Sequence, residues 1–580
     1  MGFLGVTHSL TGRCWIGPDN LTERTAEAIA QKSDLPPSLC TVMARLGVNP
    51  EDAEQYLEPQ LRTLLPDPRG LTDMTTASVR LLKALNESEK IAIFADYDVD
   101  GAASAALLLT WLGSFGSSAT LYVPDRIDEG YGPNDAAMAA LARDHDLIIC
   151  VDCGTLSHGP ISKAKAADII VLDHHLGSET VPDCVAVVNP NRQDEIGDLG
   201  HLCAASVVFL CLVECGRLLR KVGRKAPDLM GYLDLVALAT VADVAPLTGV
   251  NRAFVRQGLK VMATRSRPGL MALADQAKMD SAPGANHLGF LLGPRINAGG
   301  RIGQADLGAR LLSTNNLEEA QKLSEYLDQL NVERRQIEDT VRAEAFAQAQ
   351  ERGFDTPLVW AAGEGWHPGV VGIVAARLKE AANRPAIVIS LDGKEGKGSG
   401  RSVAGIDLGA AIHNLTQQGV LLKGGGHKMA AGFTVSQPLL QPAMEKLTKL
   451  LKKQGADKFS ISNLRLDSVL MPEAATTDLV AQLENAGPFG AGAPAPRFAF
   501  PSMAISFAKR VGENHLKIRF GDGLGTSIEA ISFGAFDTAL GPTLERHDGR
   551  RFHLAGRLEI NKWQGKHSVQ LRLEDAALTA

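Results

Sequence analysis

The chain has 580 residues, of which 45% are hydrophobic and 22% charged, and its formal net charge is −7. This composition is ordinary for soluble globular protein, and the length predicts three or four domains. No apolar stretch reaches the roughly 18 residues that a membrane-spanning helix needs, and the first ten residues lack the basic region of a secretory signal, so we expect a cytoplasmic protein with no membrane partner.

The first part of the chain predicts a helical segment followed by a doubly wound α/β domain. Residues 1–75 are punctuated by proline and predict short helices. From 76 to 310, apolar runs alternate with helical patterns such as the one at 102–112, which favours an α/β domain with a parallel sheet. Apolar runs of four to eight residues between polar or glycine residues are typical of buried strands. The five runs are 91–95, 119–123, 147–151, 169–172 and 235–242.

Carboxylates and histidines follow four of these runs directly. Functional groups collect beyond the carboxyl ends of the strands in an open parallel sheet, so these residues should meet on one rim. They are Asp96, Asp98, Asp152, His174, His175 and Asp243. Four carboxylates do not crowd together at neutral pH without cations. Oxygen ligands with one or two imidazoles suit Mn²⁺ or Mg²⁺ better than structural zinc. The pattern therefore predicts a two-metal phosphoester site.

Two of these motifs have other interpretations when taken alone. The run Asp-x-Asp-x-Asp-Gly at 96–101 is also compatible with a solvated turn or a calcium loop. The calcium loop is disfavoured, because the glycine comes too early and the terminal glutamate is missing. Cys150 and Cys153 match C-x-x-C, but their place at a strand end favours packing over redox chemistry. The eight scattered cysteines are expected to be reduced.

The second half of the chain predicts a long helix, a second α/β domain and a β-barrel. Apolar residues at three- or four-residue spacing run from Asn316 to Arg352 within a connecting segment, 311–353. The domain at 354–453 has predicted strands near 357–362 and 386–390, with unusual glycine-rich loops at 397–402 and 423–427. The final segment, 454–580, has short alternating runs between turn residues, which are typical of a small barrel.

Several motifs together resemble one known family. The segments at 96–101, 152–154 and 173–175, with Ala242-Asp243, are similar to the four motifs of the DHH phosphoesterases. Gly424-Gly425-Gly426-His427 resembles the DHH-associated domain, DHHA1. Further segments resemble the branch of that superfamily that degrades single-stranded DNA from the 5′ end. They are 124–132, 294–301, 366–372, 487–492 and 561–565. The resemblance implies a DHH domain at 76–310, a DHHA1 domain at 354–453 and an OB-fold at 454–580.

The resemblance also implies roles for the rim residues. Asp152 would bridge two ions, with Asp96 on one ion and Asp98, His174 and Asp243 on the other. Asp173 is expected to fix an imidazole from outside the ligand set, and Asp100 to support the loop through hydrogen bonds. His175 either binds metal or donates to the scissile phosphate or leaving oxygen. Phe94 stands where some relatives have a histidine, so the first ion is expected to bind more weakly.

Phosphate contacts follow from the same resemblance. The expected contacts to a terminal 5′ phosphate are Arg126, Ser399 and Arg401, since arginine is a bidentate phosphate donor. The glycines 424–426 would let backbone amides approach phosphate, with His427 facing the scissile region. Arg295 and Arg301 would contact the backbone further along the strand. In the barrel, Phe489 and Trp563 are candidate stacking platforms or core residues.

The implied activity is metal-dependent 5′→3′ degradation of single-stranded DNA to mononucleotides in recombination and repair, by a monomer. The implied partners are single-stranded-DNA-binding protein and a RecQ-type helicase. Two alternatives remain at this point: a phosphoesterase acting on short oligoribonucleotides or cyclic dinucleotides, and an inactive replication scaffold. The motifs do not distinguish DNA from RNA.

Overall fold

A computed structural model describes residues 2–126, 128–458, 462–563 and 566–579. The chain divides into two compact units, which are described separately. The larger comprises residues 66–245 and 254–460, and the smaller comprises 1–65, 246–253 and 461–580. Among the described residues, no helix combines the length and apolar character needed to cross a membrane.

The first sheet of the larger unit has five parallel strands. In spatial order they are Ala119–Tyr122, Ile91–Ala95, Leu147–Val151, Asp168–Leu172 and Ala186–Val188. Its central strands are buried along their length, as continuous apolar runs predict. The helices in this stretch of the chain are Met74–Glu87, Val99–Gly113, Asp135–Asp144, His158–Lys163, Ala204–Lys221, Leu233–Ala242, Gly249–Ala263, Pro268–Gln276, Gly293–Ile302 and Leu307–Ser313.

One predicted strand is wrong. The apolar run before Asp243 is a buried helix, Leu233–Ala242, rather than a strand. Periodicity does not separate the two possibilities for a short apolar run, and this run packs against helices Val99–Gly113 and Ala204–Lys221. Asp243 still emerges at the end of an element, because it is the C-cap of that helix.

The long connecting helix is confirmed over Leu317–Arg352, with Asn316 as its N-cap and Gly353 as its C-cap. The sheet that follows has the spatial strand order Lys423–His427, Ala430–Ser436, Glu395–Arg401, Ala386–Leu391 and Val359–Glu364. Its helices are Pro368–Ala382, Leu408–Gln417 and Leu440–Lys453. The two segments predicted as glycine-rich loops are therefore strands. Their glycines make room for neighbours: a Cβ on Gly398 would lie 2.3 Å from the ring of Phe433.

The smaller unit contains the predicted barrel. Five strands close on themselves in the order Phe498–Val511, His515–Gly521, Ser527–Ser532, Lys566–Leu578 and Arg551–Trp563, which pairs back with the first. A short strand, Ser468–Val469, joins the first barrel strand, and Cys14–Ile16 pairs with Asn463–Arg465. The helices of this unit are Asn20–Lys32, Pro37–Arg45, Ala53–Leu57, Leu61–Leu64, Thr477–Asn485 and Leu540–Glu545.

The barrel shares its apolar core with the amino-terminal helices. Ile29, Leu39 and Met43 belong to the same buried cluster as Phe498 and Phe552. The sequence did not indicate that segments more than 400 residues apart fold into one unit, because no local pattern encodes which helix covers which barrel face.

Candidate active site

The ends of three neighbouring strands bring the predicted rim residues together. Ala95 lies opposite Val151, and Val151 lies opposite Leu172, so the chain turns into the rim at the same level on all three strands. Asp243 reaches the same place from the end of its helix: its Oδ2 lies 3.8 Å from His174 Nε2. We call Asp96, Asp98, Asp100, Asp152, His174, His175 and Asp243 the acidic rim.

Three overlapping trios in the acidic rim have ligand atoms within 4.8 Å of one another. The trios are Asp96/Asp98/Asp152, Asp152/His174/His175 and Asp100/His174/Asp243. Asp152 belongs to two trios, and its Oδ1 lies 3.3 Å from His174 Nε2. The grouping differs from the expected one, since Asp100 rather than Asp98 is compact with His174 and Asp243. The Asp98 side chain instead caps helix Val99–Gly113 by accepting hydrogen bonds from the amides of Asp100 and Gly101.

The carboxylates of the acidic rim repel one another in a buried setting. Burial and the neighbouring charge of Asp98 raise the pKa of Asp96 well above its ordinary value. Burial and four nearby carboxylates do the same to the pKa of Asp152, and burial together with Asp100 and Asp98 raises the pKa of Asp243 to about 8. Asp96 Oδ1 is buried and has no hydrogen-bond partner among the described residues. This set of oxygen and imidazole donors fits hard divalent cations such as Mn²⁺ or Mg²⁺.

Asp173 holds the imidazole of His175. Asp173 Oδ1 accepts a hydrogen bond from His175 Nδ1 at 2.8 Å, and Oδ2 accepts one from the Thr155 amide. Burial opposes the charge on both groups, but this pairing keeps the pKa of Asp173 below its ordinary value and raises the pKa of His175 to about 9. His175 is therefore held protonated at neutral pH in the metal-free protein.

Tyr131 was missed as a site residue, although it stands in one of the quoted segments. Its hydroxyl donates to the Asp152 carbonyl at 2.9 Å and lies 3.1 Å from His175 Nδ1. The loop that carries it is anchored by Glu129, which accepts hydrogen bonds from the Asp125 amide and the Tyr122 hydroxyl. An aromatic residue in a glycine-rich loop carries no sequence signal for such a contact.

Two backbone features surround the acidic rim. Asp152 and Val244 have positive φ angles of 59° and 60°. Such angles are unfavourable for residues other than glycine, most of all for a β-branched residue such as Val244. Backbone strain of this kind clusters at functional sites. Asp100 accepts hydrogen bonds from the amides of Ala204 and Ala205, so it ties helix Ala204–Lys221 to the rim.

Phe94 is buried and stacks on Tyr122 with ring centroids 5.2 Å apart. Position 94, where some relatives have a histidine, thus holds a packed aromatic ring and offers no metal ligand.

A second charged group lies next to the acidic rim. It consists of Arg126, Arg301 and Arg401, and we call it the arginine cluster. Burial and the charge of Arg126 lower the pKa of Arg301 to about 10 and also lower the pKa of Arg401. Arg401 Nη1 donates to Ser399 Oγ at 3.3 Å, which keeps these two predicted phosphate contacts together. Three guanidinium groups that repel one another form a site for an anion.

Helix Pro368–Ala382 adds to this positive potential. Its N-cap is His367, and burial followed by the charge of Arg126 lowers the pKa of that imidazole. Arg301 Nη1 donates to the Gly369 carbonyl at 3.1 Å, and a Cβ on Gly372 would lie 2.9 Å from Ser399 Oγ. The amino-terminal end of a helix favours bound anions. His367 and this helix end were not predicted as part of the site.

The remaining predicted contacts have different surroundings. Arg295 is buried, donates to Asp328 at 2.8 Å and to the Leu291 carbonyl at 2.7 Å, and therefore favours a structural role over the expected DNA contact. Gly425, Gly426 and His427 lie exposed on the edge strand of the second sheet. His427 Nδ1 accepts a hydrogen bond from the Met429 amide at 3.3 Å.

The candidate stacking residues of the barrel are only partly described. Phe489 is half-buried and packs against the barrel core, whereas the Trp563 side chain lies outside the described residues. Phe507, which was not predicted, is 45% exposed and lines an open depression with Lys509, Lys517 and Arg519. The sequence around Phe507 does not distinguish this exposed ring from the aromatic residues of the barrel core.

Three known domain families match the chain in the order that the fold shows. The DHH family N-terminal domain matches residues 90–240, the DHHA1 domain matches 355–454, and the RecJ OB domain matches 466–575. The barrel is thus of the OB type.

Whole-length relatives support the same assignment. The chain is 37% identical to the single-stranded-DNA-specific exonuclease RecJ of Dickeya dadantii, over 94% of this chain and 97% of that protein. It is 35% identical to RecJ of Escherichia coli, over 94% and 96%. Crystal structures of Thermus thermophilus RecJ with Mn²⁺ and with Mg²⁺ align with TM-scores of 0.82 and 0.76, at 28% identity over 98% of this chain and 80% and 78% of those chains. The chain therefore belongs to the RecJ family of single-stranded-DNA-specific exonucleases.

Proposed function

We propose that this exonuclease removes mononucleotides in the 5′→3′ direction with two divalent cations bound in the acidic rim. The observation that carries the proposal is that a group of carboxylates and a group of arginines lie within electrostatic reach of each other. Asp96 at one end of the rim interacts electrostatically with Arg126, and Arg301 with Asp98. A strand end offers a matching pair: a terminal phosphate for the arginine cluster and a phosphodiester for the rim.

The acidic rim would hold the cations through Asp96, Asp98, Asp152, His174 and Asp243. Bound Mn²⁺ or Mg²⁺ supplies water activation and neutralises charge on the phosphoryl oxygens. His175, whose Nδ1 is paired with Asp173, would donate to the scissile phosphate or to the leaving oxygen. The Tyr131 hydroxyl, 3.1 Å from His175 Nδ1, further restricts the imidazole.

The arginine cluster supports the direction of digestion. Arg126, Arg401 and Ser399 would bind the terminal 5′ phosphate, and Arg301 joins them rather than contacting the strand further along. Charge-assisted hydrogen bonds to phosphate are roughly twice as strong as neutral ones. A 3′ terminus ends in a hydroxyl and offers no such charge, so recognition through this cluster selects the 5′ end.

The barrel supports a role on long strands. In barrels of the OB type, the face of the second and third strands binds oligonucleotides. On this barrel Lys517 and Arg519 lie on the second strand, and Phe507 and Lys509 on the first. Cations that track the backbone around an exposed aromatic ring are typical of single-strand binding. A small-substrate phosphoesterase has no need of such a surface.

The cellular role belongs to the same proposal. We infer a monomer that acts in the cytoplasm in recombination and repair, with single-stranded-DNA-binding protein and a RecQ-type helicase supplying the substrate. All eight cysteines are free, which suits a reducing compartment.

The test is a digestion series on 5′-labelled and 3′-labelled single strands of DNA and RNA, with Mn²⁺ and with EDTA. We expect the 5′ label to appear first as a mononucleotide and the 3′ label to stay on long fragments, with DNA preferred and EDTA silencing the reaction. Calorimetric titration with Mn²⁺ should give two equivalents per chain. Early release of the 3′ label would overturn the direction, and a single equivalent would overturn the two-metal site.

A further inference from the structure

Tyr97 connects the two charged groups of the site. It lies between Asp96 and Asp98, so its Cα is about 3.8 Å from each of theirs. Its ring faces the other way, toward the arginine cluster, with the Arg126 guanidinium carbon 5.1 Å from the ring centroid. A guanidinium within about 6 Å of an aromatic face is attracted by the ring quadrupole.

The ring of Tyr97 is itself held in place. Helix Gly293–Ile302 packs against it at Gly300, where a Cβ would lie 2.7 Å from the Tyr97 carbonyl and 2.8 Å from its Cβ. The same helix anchors the next turn, since Asn297 Oδ1 accepts a hydrogen bond from the Val99 amide at 3.0 Å. It also carries Arg301 of the arginine cluster. One rigid helix therefore fixes both the tyrosine and one of the three arginines.

Arg126 has a less regular support. It lies in the loop between strand Ala119–Tyr122 and helix Asp135–Asp144, and the loop is fastened mainly at Glu129. An arginine side chain has several rotatable bonds, so a second contact is needed to hold its guanidinium at one place. Tyr97 provides that contact from the backbone segment that carries the rim carboxylates.

We propose that Tyr97 is a positioning residue that sets the distance between the bound 5′ phosphate and the scissile phosphodiester. The inference rests on the proposed 5′-end recognition by Arg126. The ring ties the arginine to the segment that holds Asp96 and Asp98, so the terminal phosphate and the attacked phosphate stay one nucleotide apart. Without the ring, Arg126 takes several positions and the step length is no longer uniform.

The experiment uses the full-length protein with Mn²⁺ and compares Tyr97→Leu, Tyr97→Met and Tyr97→Phe with Arg126→Ala. Each is assayed on a 5′-phosphorylated and a 5′-hydroxyl single strand of the same sequence. The readouts are the ratio of kcat/KM on the two substrates and the length of the released products. Mn²⁺ affinity by calorimetry checks that the rim is intact. Tyr326→Leu, on the exposed side of the connecting helix, is the matched control.

We expect Tyr97→Leu and Tyr97→Met to lower the 5′-phosphate preference about fivefold to thirtyfold and to release dinucleotides beside mononucleotides. Tyr97→Phe should keep both the preference and the product length, because the aromatic face remains. If both ring-free variants keep them while Arg126→Ala loses the preference, the inference is wrong although end recognition stands. If Arg126→Ala also keeps the preference, the end-recognition proposal fails and the inference falls with it.

Discussion

The acidic rim and the arginine cluster lie within one compact unit and each brings together side chains of like charge, but they are built in different ways. The rim residues come from strand ends and a helix end; Asp98 and Asp100 each accept two backbone amides, whereas Asp96 Oδ1 has no hydrogen-bond partner among the described residues. The cluster residues come from a loop, a helix and a strand, and their side chains rest on carbonyls, a hydroxyl and an aromatic ring. Bound cations would offset the repulsion among the rim carboxylates, whereas the guanidinium groups of the cluster already have hydrogen-bond or ring partners within the protein.

This difference indicates which parts of the reaction each group governs. Rim carboxylates such as Asp96 and Asp152 have raised pKa values and need cations to be ionised together. Replacing one of them should therefore affect turnover itself. The arginines of the cluster have partners within the protein even without a bound phosphate. Replacing one of them should therefore affect recognition of the strand end. Predictions that separate turnover from recognition therefore test the comparison.

The largest effect is expected for Asp152→Ala. Asp152 belongs to two of the three trios, and groups that act as a unit are strongly non-additive. We expect turnover to fall by about three orders of magnitude or more on both 5′-phosphate and 5′-hydroxyl strands. The measurement is single-turnover digestion with saturating Mn²⁺, with circular dichroism to confirm folding. Turnover close to that of the unmodified enzyme would contradict the assignment of the rim as the catalytic centre.

Arg401→Ala should have a smaller and more selective effect. Hydrogen bonds to charged groups contribute about 1.5–3 kcal/mol, so we expect KM for 5′-phosphorylated strands to rise about tenfold to a hundredfold. KM for 5′-hydroxyl strands should change much less. Arg342→Ala, an exposed arginine on the connecting helix, is the control. An equal rise on both substrates would mean that Arg401 holds the fold or the strand interior instead.

The pH dependence of stability distinguishes the two groups further. Burial and nearby carboxylates raise the pKa of Asp243 to about 8 in the metal-free protein. The folded state thus binds this proton more tightly than the unfolded state, whose aspartate pKa is about 3.9. The contribution to stability is complete below about pH 4 and is lost as the pH rises to about 8.

Melting temperatures in EDTA between pH 5 and pH 8.5 should therefore fall less for Asp243→Asn than for the unmodified protein. The raised pKa of His175, about 9, acts in the same direction; Asp243 is one of the charges that raise it, so its contribution should also shrink in Asp243→Asn. Stabilisation by Mn²⁺ should grow over the same range, because binding requires ionised carboxylates. Parallel Tm curves for the two proteins would show that Asp243 titrates normally.

The same contrast shows what the sequence could predict. Rim residues follow apolar runs, so their meeting point was predictable from the rule for parallel strands, even for Asp243, whose run is a helix. The cluster residues Arg126, Arg301 and Arg401, and the neighbouring Ser399, were named through family resemblance, while Tyr97, Tyr131 and His367 were missed. Their contacts depend on loop conformation and on packing between distant elements, such as Gly372 against Ser399. Those features have no local sequence pattern.

The smallest effects are expected on the barrel. Removal of residues after 452 is not a clean test, since Ile29, Leu39 and Met43 pack in the same core as the barrel strands and would be exposed by truncation. Single substitutions keep that core. Lys509→Ala removes one exposed cation beside Phe507, and each phosphate contact to a single strand contributes about 0.7 to the slope of log affinity against log salt.

We therefore expect Lys509→Ala to reduce the salt slope for a 30-mer by about 0.7 while leaving turnover on a very short strand unchanged. Phe507→Ala should weaken binding with little change in slope, because stacking is not ionic. Lys322→Ala, an exposed lysine of the connecting helix, controls for loss of charge alone. Fluorescence anisotropy from low to moderate salt measures both quantities. If Lys509→Ala and Lys322→Ala give the same slope as the unmodified protein, this face of the barrel does not follow the DNA backbone, and the barrel's contribution to strand binding must come from another surface.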